Sequence, residues 1–281
     1  MNPSELHLLF SQYLNEDIGS GDHSTLSCIP ADIRGKCVLK AKQEGIIAGL
    51  DIVKELFLYT DPSSKITFMA KDGDAIQPGD QPFTIEARRQ KLLSTERLAL
   101  NILQRMSGIA TETHLYNLEL KGTKTRLLDT RKTTPGFRYF EKEAVRIGGG
   151  TNHRFGLYDM IMLKDNHIDF AGGIEKAIDM SLQYMSDNKL QLKIEVETRS
   201  LDDVKRVLAH GKADRIMLDN FSPELTKTAV EIIQGRIETE SSGGITLQNI
   251  RDYALCGVDY ISIGALTHQI KSLDLSLKAL F

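Results

Sequence analysis

Only three cysteines occur in 281 residues; Cys28, Cys37 and Cys256 are scattered and free of CxxC spacing. They support neither a disulfide framework nor a zinc site, and the compartment they fit is a reducing cytosol. No run approaches the roughly 18 apolar residues that a membrane-spanning helix needs. The opening Met-Asn-Pro-Ser-Glu-Leu has no basic stretch and no continuous apolar segment, so a signal peptide is not expected. Four familiar catalytic signatures are also missing: GxxxxGK[ST], HExxH, GxSxG, and GxGxxG after a strand. Nucleotide-triphosphate loops, zincin chemistry, a nucleophile elbow and a dinucleotide fold therefore have no support.

What the chain does have is a local excess of positive charge. Residues 131–164 carry seven Arg or Lys against three acids, a net of +4 in a chain whose total is -3. A cationic segment in an otherwise acidic protein suits a small, multiply charged anion and not a nucleic-acid surface. Apolar content of 41% and charged content of 26% describe an ordinary globular protein, long enough for one large α/β domain or two unequal ones.

The first 110 or so residues read as mixed. Spacing predicts helices over Ser4–Leu14, Asp51–Tyr59 and Ser94–Ile109, and strands over Cys37–Lys42, Lys65–Met69 and Gln81–Glu86. Glu16 to Asp22 reads as a loop. After Gly122 short aliphatic runs alternate with helical stretches: Thr125–Leu128, Met160–Leu163, Leu192–Val196, Arg215–Leu218, Arg236–Thr239 and Tyr260–Ile263. That alternation predicts parallel strands with crossover helices, and without a dinucleotide fingerprint it favours a barrel over an open sheet.

In such a barrel function gathers where strands end. Three sub-sites emerge there. Arg131, His153, Arg154 and Lys164 form a basic group suited to a small polycarboxylate, since arginine forks match carboxylates and lysine adds a point charge. The competing reading pairs them with Glu141, Glu143 or Asp159. Arg138, Lys142 and Arg146, at helical spacing, read as a solvated or ion-paired face. Ser242-Gly243-Gly244 and Gly264-Ala265 are either tight turns or a phosphate cradle of backbone amides. Glu195, Glu197 and Asp219 form the third set. Glu195 and Glu197 share a strand face; they face ribose hydroxyls, Mg²⁺ or the basic group, or else belong to an internal salt-bridge layer. Lys164 at a strand end also leaves a Schiff-base aldolase open.

Taken in order, these motifs resemble one family. They are Thr130–Gly136 (TRKTTPG), Gly148–Arg154 (GGGTNHR), Lys164–His167 (KDNH), Glu195-Val196-Glu197, Leu218–Asn220, Ser241–Ile245 (SSGGI) and Gly257–His268. With the early Glu16–Asp22 loop they are similar to quinolinate phosphoribosyltransferase, also called nicotinate-nucleotide pyrophosphorylase. The resemblance implies an α/β protein: an N-terminal α/β sandwich over 1–108, an incomplete (β/α) barrel over 109–269, and a tail over 270–281 returning to the first domain. It implies quinolinate and phosphoribosyl pyrophosphate as substrates, Mg²⁺ carried mainly on the pyrophosphate with no dedicated protein ligand set, and a cytoplasmic homodimer with shared active sites. Arg131, His153, Arg154 and Lys164 match positions holding the quinolinate carboxylates, and Arg97 matches an arginine given across the dimer interface. Lys132, Glu197 and Asp219 match the catalytic groups facing phosphoribosyl pyrophosphate and its Mg²⁺, and Ser242, Gly243, Gly244 and Gly264 match its 5′-phosphate site. Neither a nucleic-acid nor a membrane partner is implied.

Overall fold

A computed structural model describes residues 2–280. The terminal Met1 and Phe281, which fall within the expected domain bounds, lie outside the described residues. In chain order the strands are β1 (Arg34–Ala41), β2 (Gly45–Ile46), β3 (Lys65–Phe68), β4 (Ala75–Ile76), β5 (Phe83–Arg88), β6 (Arg126–Leu128), β7 (Ile161–Leu163), β8 (Ile194–Thr198), β9 (Arg215–Asp219), β10 (Glu238–Ser242), β11 (Tyr260–Ser262) and β12 (Leu275–Leu280). The helices are α1 (Pro3–Ile18), α2 (His23–Cys28), α3 (Leu50–Thr60), α4 (Arg89–Glu119), α5 (Arg138–Ile147), α6 (Asp165–Ala171), α7 (Ile174–Asn188), α8 (Leu201–His210), α9 (Pro223–Ile233), α10 (Ile250–Leu255) and α11 (Ala265–His268).

The chain divides into two compact units. The first comprises residues 1–114, 134–149 and 269–281. Its antiparallel sheet runs β12-β1-β5-β3, with β12 laid along β1 from Lys36 opposite Leu280 to Ala41 opposite Leu275. Strict alternation in β5 buries Phe83, Ile85 and Ala87 and leaves the residues between them half-buried, as expected of a sheet with one covered face. Helix α4 is tied in by two hydroxyls: Ser107 accepts from the Ala48 amide at 3.0 Å and Thr111 from the Ile46 amide at 2.9 Å.

Two features of this unit depart from the sequence reading. Helix α1 continues through Glu16, Asp17 and Ile18, stopping only at Gly19, whose φ of 50° ends the helical run. Residues 134–149, expected in the barrel, cluster with the first unit instead. The cause is a buried carboxylate: Glu141 on α5 receives Arg105 of α4 at 2.8 Å and the Thr134 amide at 3.0 Å. Breaking such a buried pair costs about 3–5 kcal/mol. Lys142, read as part of a solvated or ion-paired face, is not solvated: it is buried beside Phe140 and Glu141 on the inward side of α5.

The second unit comprises residues 115–133 and 150–268. Six parallel strands take the order β6-β11-β10-β9-β8-β7. Strands β6 and β7 do not pair with each other, and Thr151 adds a single parallel bridge to Leu128, so the unit is an incomplete (β/α) barrel. The expected strand at Arg236–Thr239 lies two residues later, at Glu238–Ser242. Arg236 is held back because its guanidinium donates to the Ile232 and Ile233 carbonyls, closing the end of α9. Glu240 and Ser241 are therefore strand-interior residues and not rim residues.

Candidate active site

The strand C-termini of the second unit lead into Arg131, Lys132, Lys164, Glu197, Asp219 and the Ser242–Gly244 turn. Arg131 follows β6, and its Nε is buried with no hydrogen-bond partner. Arg154 is half-buried; burial first and the neighbouring Arg131 charge second push its guanidinium below the ordinary arginine range. Its fork is aimed by the Met160 carbonyl at 3.1 Å and the Met162 sulfur at 3.5 Å. Two neighbouring like charges, one with an unmet donor, make this corner electropositive, the setting that suits a carboxylate.

Lys164 caps α6 after β7, and its ammonium lies 3.5 Å from Glu197 on β8. Glu197 also accepts from the Asp165 amide at 3.4 Å, so one carboxylate spans two neighbouring strand ends. Asp219 ends β9, where the Asn220 side chain donates to it at 2.8 Å. Asn220 itself sits in the left-handed region (φ 56°) and its amide donates to the Ser242 carbonyl at 2.8 Å, which joins the ends of β9 and β10.

Ser242 leads into Gly243 and Gly244, with φ of 92° and 64°. Successive amides in such a turn form an anion-binding concavity. The turn does not run straight into a helix; residues 245–249 intervene, and Asn249 donates to the Gly244 carbonyl at 3.3 Å. Lys132 is exposed. Its carbonyl accepts from Thr267 at 2.8 Å, and a Cβ on Gly264 would lie 3.0 Å from the Lys132 side chain. Lys132 and Gly264 are thus neighbours on one rim.

His153 lies deeper. Its Nε2 is 2.9 Å from Glu195 and 3.4 Å from Glu240, and its Nδ1 accepts the Arg154 amide at 2.6 Å. Burial opposes a charge on the ring, yet hydrogen bonds to Glu195 and Glu240 raise its pKa to about 9. Burial and the Glu240 charge together lift Glu195 to about 7. Arg215 closes the cluster from β9. It reaches Glu240 at 3.0 Å and Glu238 at 3.1 Å, and lies 4.1 Å from the Tyr260 ring centroid. Glu195 therefore belongs to an internal ion-pair layer and Glu197 to the rim.

Sequence reading gave no role to Arg215, Asn220 or Asp129, whose carboxylate accepts the His153 amide at 2.8 Å. The available signal was alternation along β8 and β10, which places Glu195 and Glu240 inward. Arg97 lies in the first unit, exposed on α4. A separate cavity of about 720 Å³ opens at the opposite strand ends, lined by Lys124, Lys193, Arg236 and Glu238 among others, away from these groups.

Barrel and rim together define an enzyme for small polyanions. Two family profiles match the chain: quinolinate phosphoribosyl transferase N-terminal domain over residues 22–107 and C-terminal domain over 109–278. The chain is 43% identical to the chloroplastic nicotinate-nucleotide pyrophosphorylase (carboxylating) of Arabidopsis thaliana, over 98% of this chain and 82% of that one. It is 42% identical to the probable nicotinate-nucleotide pyrophosphorylase of Bacillus subtilis, covering 99% and 94%. The solved structure of NadC from Streptococcus pyogenes superposes with a TM-score of 0.92 at 40% identity, covering 100% of this chain and 99% of that one. The chain belongs to the quinolinate phosphoribosyltransferase family.

Proposed function

We propose that this protein transfers phosphoribose from phosphoribosyl pyrophosphate to quinolinate with decarboxylation, giving nicotinate mononucleotide, pyrophosphate and carbon dioxide for NAD biosynthesis. The observation that carries the reading is Arg131: a buried guanidinium nitrogen without a partner, beside a second arginine whose charge it opposes. A dianionic pyridine satisfies both, with Lys164 as the third cation and His153 beneath. Arg97, exposed on α4, is the arginine that a second copy of the chain contributes in a homodimer. The 5′-phosphate takes the amides of Ser242, Gly243 and Gly244 with Gly264 opposite, and Lys132 faces the pyrophosphate.

The ring nitrogen of quinolinate attacks C1 of the ribose as pyrophosphate leaves. Positive charge develops on the sugar, and the carboxylates of Glu197 and Asp219 offset it. Ribosylation leaves the pyridine cationic, so the adjacent N⁺ stabilises the electron pair left on C2 when its carboxylate departs as carbon dioxide, and a proton from water then forms the C2–H bond of nicotinate mononucleotide. No protein nucleophile is needed; orientation and charge placement supply the rate. Glu197 and Asp219 are hard oxygen donors at adjacent strand ends, a set that fits Mg²⁺. When bound, the cation neutralises the leaving pyrophosphate.

No helix among the described residues is long and apolar enough to cross a membrane; with the scattered cysteines this supports a cytoplasmic enzyme. An assay for carbon dioxide and pyrophosphate with quinolinate, with and without Mg²⁺, tests the function. Carbon dioxide release with quinolinate supports it; turnover of nicotinate without carbon dioxide refutes it.

A further inference from the structure

We infer that His153 is a positioning residue: its imidazole anchors the backbone amide of Arg154 and so sets where that guanidinium meets the substrate acid. The inference rests on the reading of Arg154 as a carboxylate holder. The decisive contact is the Arg154 amide, which points at Nδ1 from 2.6 Å. Two hydrogens cannot share that gap, so Nδ1 must offer its lone pair and the ring proton sits on Nε2. Glu195 and Glu240 acting alone would charge the ring and raise its pKa to about 9, but a second proton on Nδ1 would meet the Arg154 N–H, so the amide holds the ring neutral. Nε2–H then donates inward to Glu195 at 2.9 Å, with Glu240 at 3.4 Å. The backbone of the same residue is fixed as well, its amide donating to Asp129 at 2.8 Å. Both ring nitrogens are occupied and the side chain is 5% exposed, so no nitrogen faces the rim for a substrate carboxylate.

The groups packed around the ring account for its direction. Glu195 on β8, Glu240 on β10 and Arg215 on β9 come from three adjacent strands, with Arg215 in register beside both Glu195 and Glu238. Arg215 supplies the positive charge this pair of buried carboxylates requires. The donor atoms of His153, Glu195 and Glu240 do lie within 4.8 Å of one another, the spacing of a metal site. The Nε2 proton and the Arg215 fork occupy the places a cation would take, so the cluster is a buttress. Strand backbone, and not a loop, therefore determines the position of the Arg154 amide.

The test has two arms. In the wild-type enzyme labelled with ¹⁵N-histidine, with His153 assigned by loss of its signals in His153→Gln, the ring nitrogens report the tautomer directly. A neutral ring with the proton on Nε2, unchanged in type when quinolinate saturates the enzyme, is the expected result. A proton on Nδ1, or one lost or gained on quinolinate binding, overturns the inference. The second arm is Glu240→Gln, which keeps the shape and removes the inward charge. The Michaelis constant for quinolinate should rise by roughly ten- to a hundredfold, the scale of a misplaced binding group, while that for phosphoribosyl pyrophosphate stays within about twofold. A rise in both constants or in neither overturns it. Failure of wild-type enzyme to turn over quinolinate would refute the proposed function instead, and leaves the tautomer measurement standing as an independent result.

Discussion

A Cβ placed on Gly243 would collide with the side-chain oxygen of Asn220, whose amide group in turn donates to Asp219 at 2.8 Å. One asparagine thus leaves no room for a side chain at Gly243, in the turn proposed to hold the phosphate, and orients Asp219, the carboxylate proposed to face the ribose. The φ of 92° at Gly243 adds a second penalty for any other residue. Gly243→Ala should fold, since the turn lies at the rim, and should lose about a hundredfold or more in kcat/KM for phosphoribosyl pyrophosphate. Circular dichroism alongside steady-state kinetics checks this; near-normal kcat/KM would remove the turn from the phosphate site.

Arg131→Ala removes the unpartnered guanidinium. Loss of one charge-assisted pair predicts a weakening of quinolinate binding of about 1.5–3 kcal/mol, or roughly ten- to a hundredfold. Thermal stability should hold, because Arg131 Nε has no hydrogen bond to lose. Isothermal titration with quinolinate provides the readout, and unaltered affinity would contradict the assigned role.

The proposed sharing of sites between two copies of the chain has a complementation signature. Assayed with quinolinate well below saturation, Arg97→Ala and Arg131→Ala should each keep about a tenth of wild-type activity or less alone. Mixed after dissociation and reassociation, they should recover about a quarter of wild-type activity, since half the dimers are mixed and each mixed dimer holds one intact site. No recovery would place Arg97 and Arg131 in the same copy's site or outside any site.

Asp61 makes a stability prediction with a definite direction in pH. Burial alone would raise its pKa, but the Arg88 amide, the Ser63 hydroxyl and the Arg88 guanidinium hold it well below the usual carboxylate range. The unfolded chain releases this proton near pH 3.9. The stabilisation is therefore complete above about pH 5 and is lost as pH falls toward the depressed folded value. Asp61→Asn should be less stable than wild type at pH 7 by about 1–3 kcal/mol, with the gap narrowing below pH 4. Denaturant titrations at the two pH values decide it; a gap that widens in acid contradicts the hydrogen-bond account.

Much of the barrel was legible because each short aliphatic run ends in charged or glycine residues, a pattern that local propensity and burial both enforce. Strand β10 was misplaced by two residues since Arg236 looks like a strand residue and acts as a helix cap. That slip hid Glu240, and with it the reason His153 faces inward. The cationic cluster could be read from composition, but ring orientation depends on Glu195, Glu240 and Arg215, which arrive from three later strands. Arg97 carried no signal of its own: an exposed arginine on a long helix is indistinguishable from a solvated one, and only likeness to a family marked it.

Strand β12, the last described segment of the chain, lies along β1. During synthesis the edge of β1 therefore stays bare until residues 275–280 have been made. In that interval β1 offers an open row of amides and carbonyls to any extended peptide nearby, and a truncation that removes β12 would leave that row open for the lifetime of the molecule.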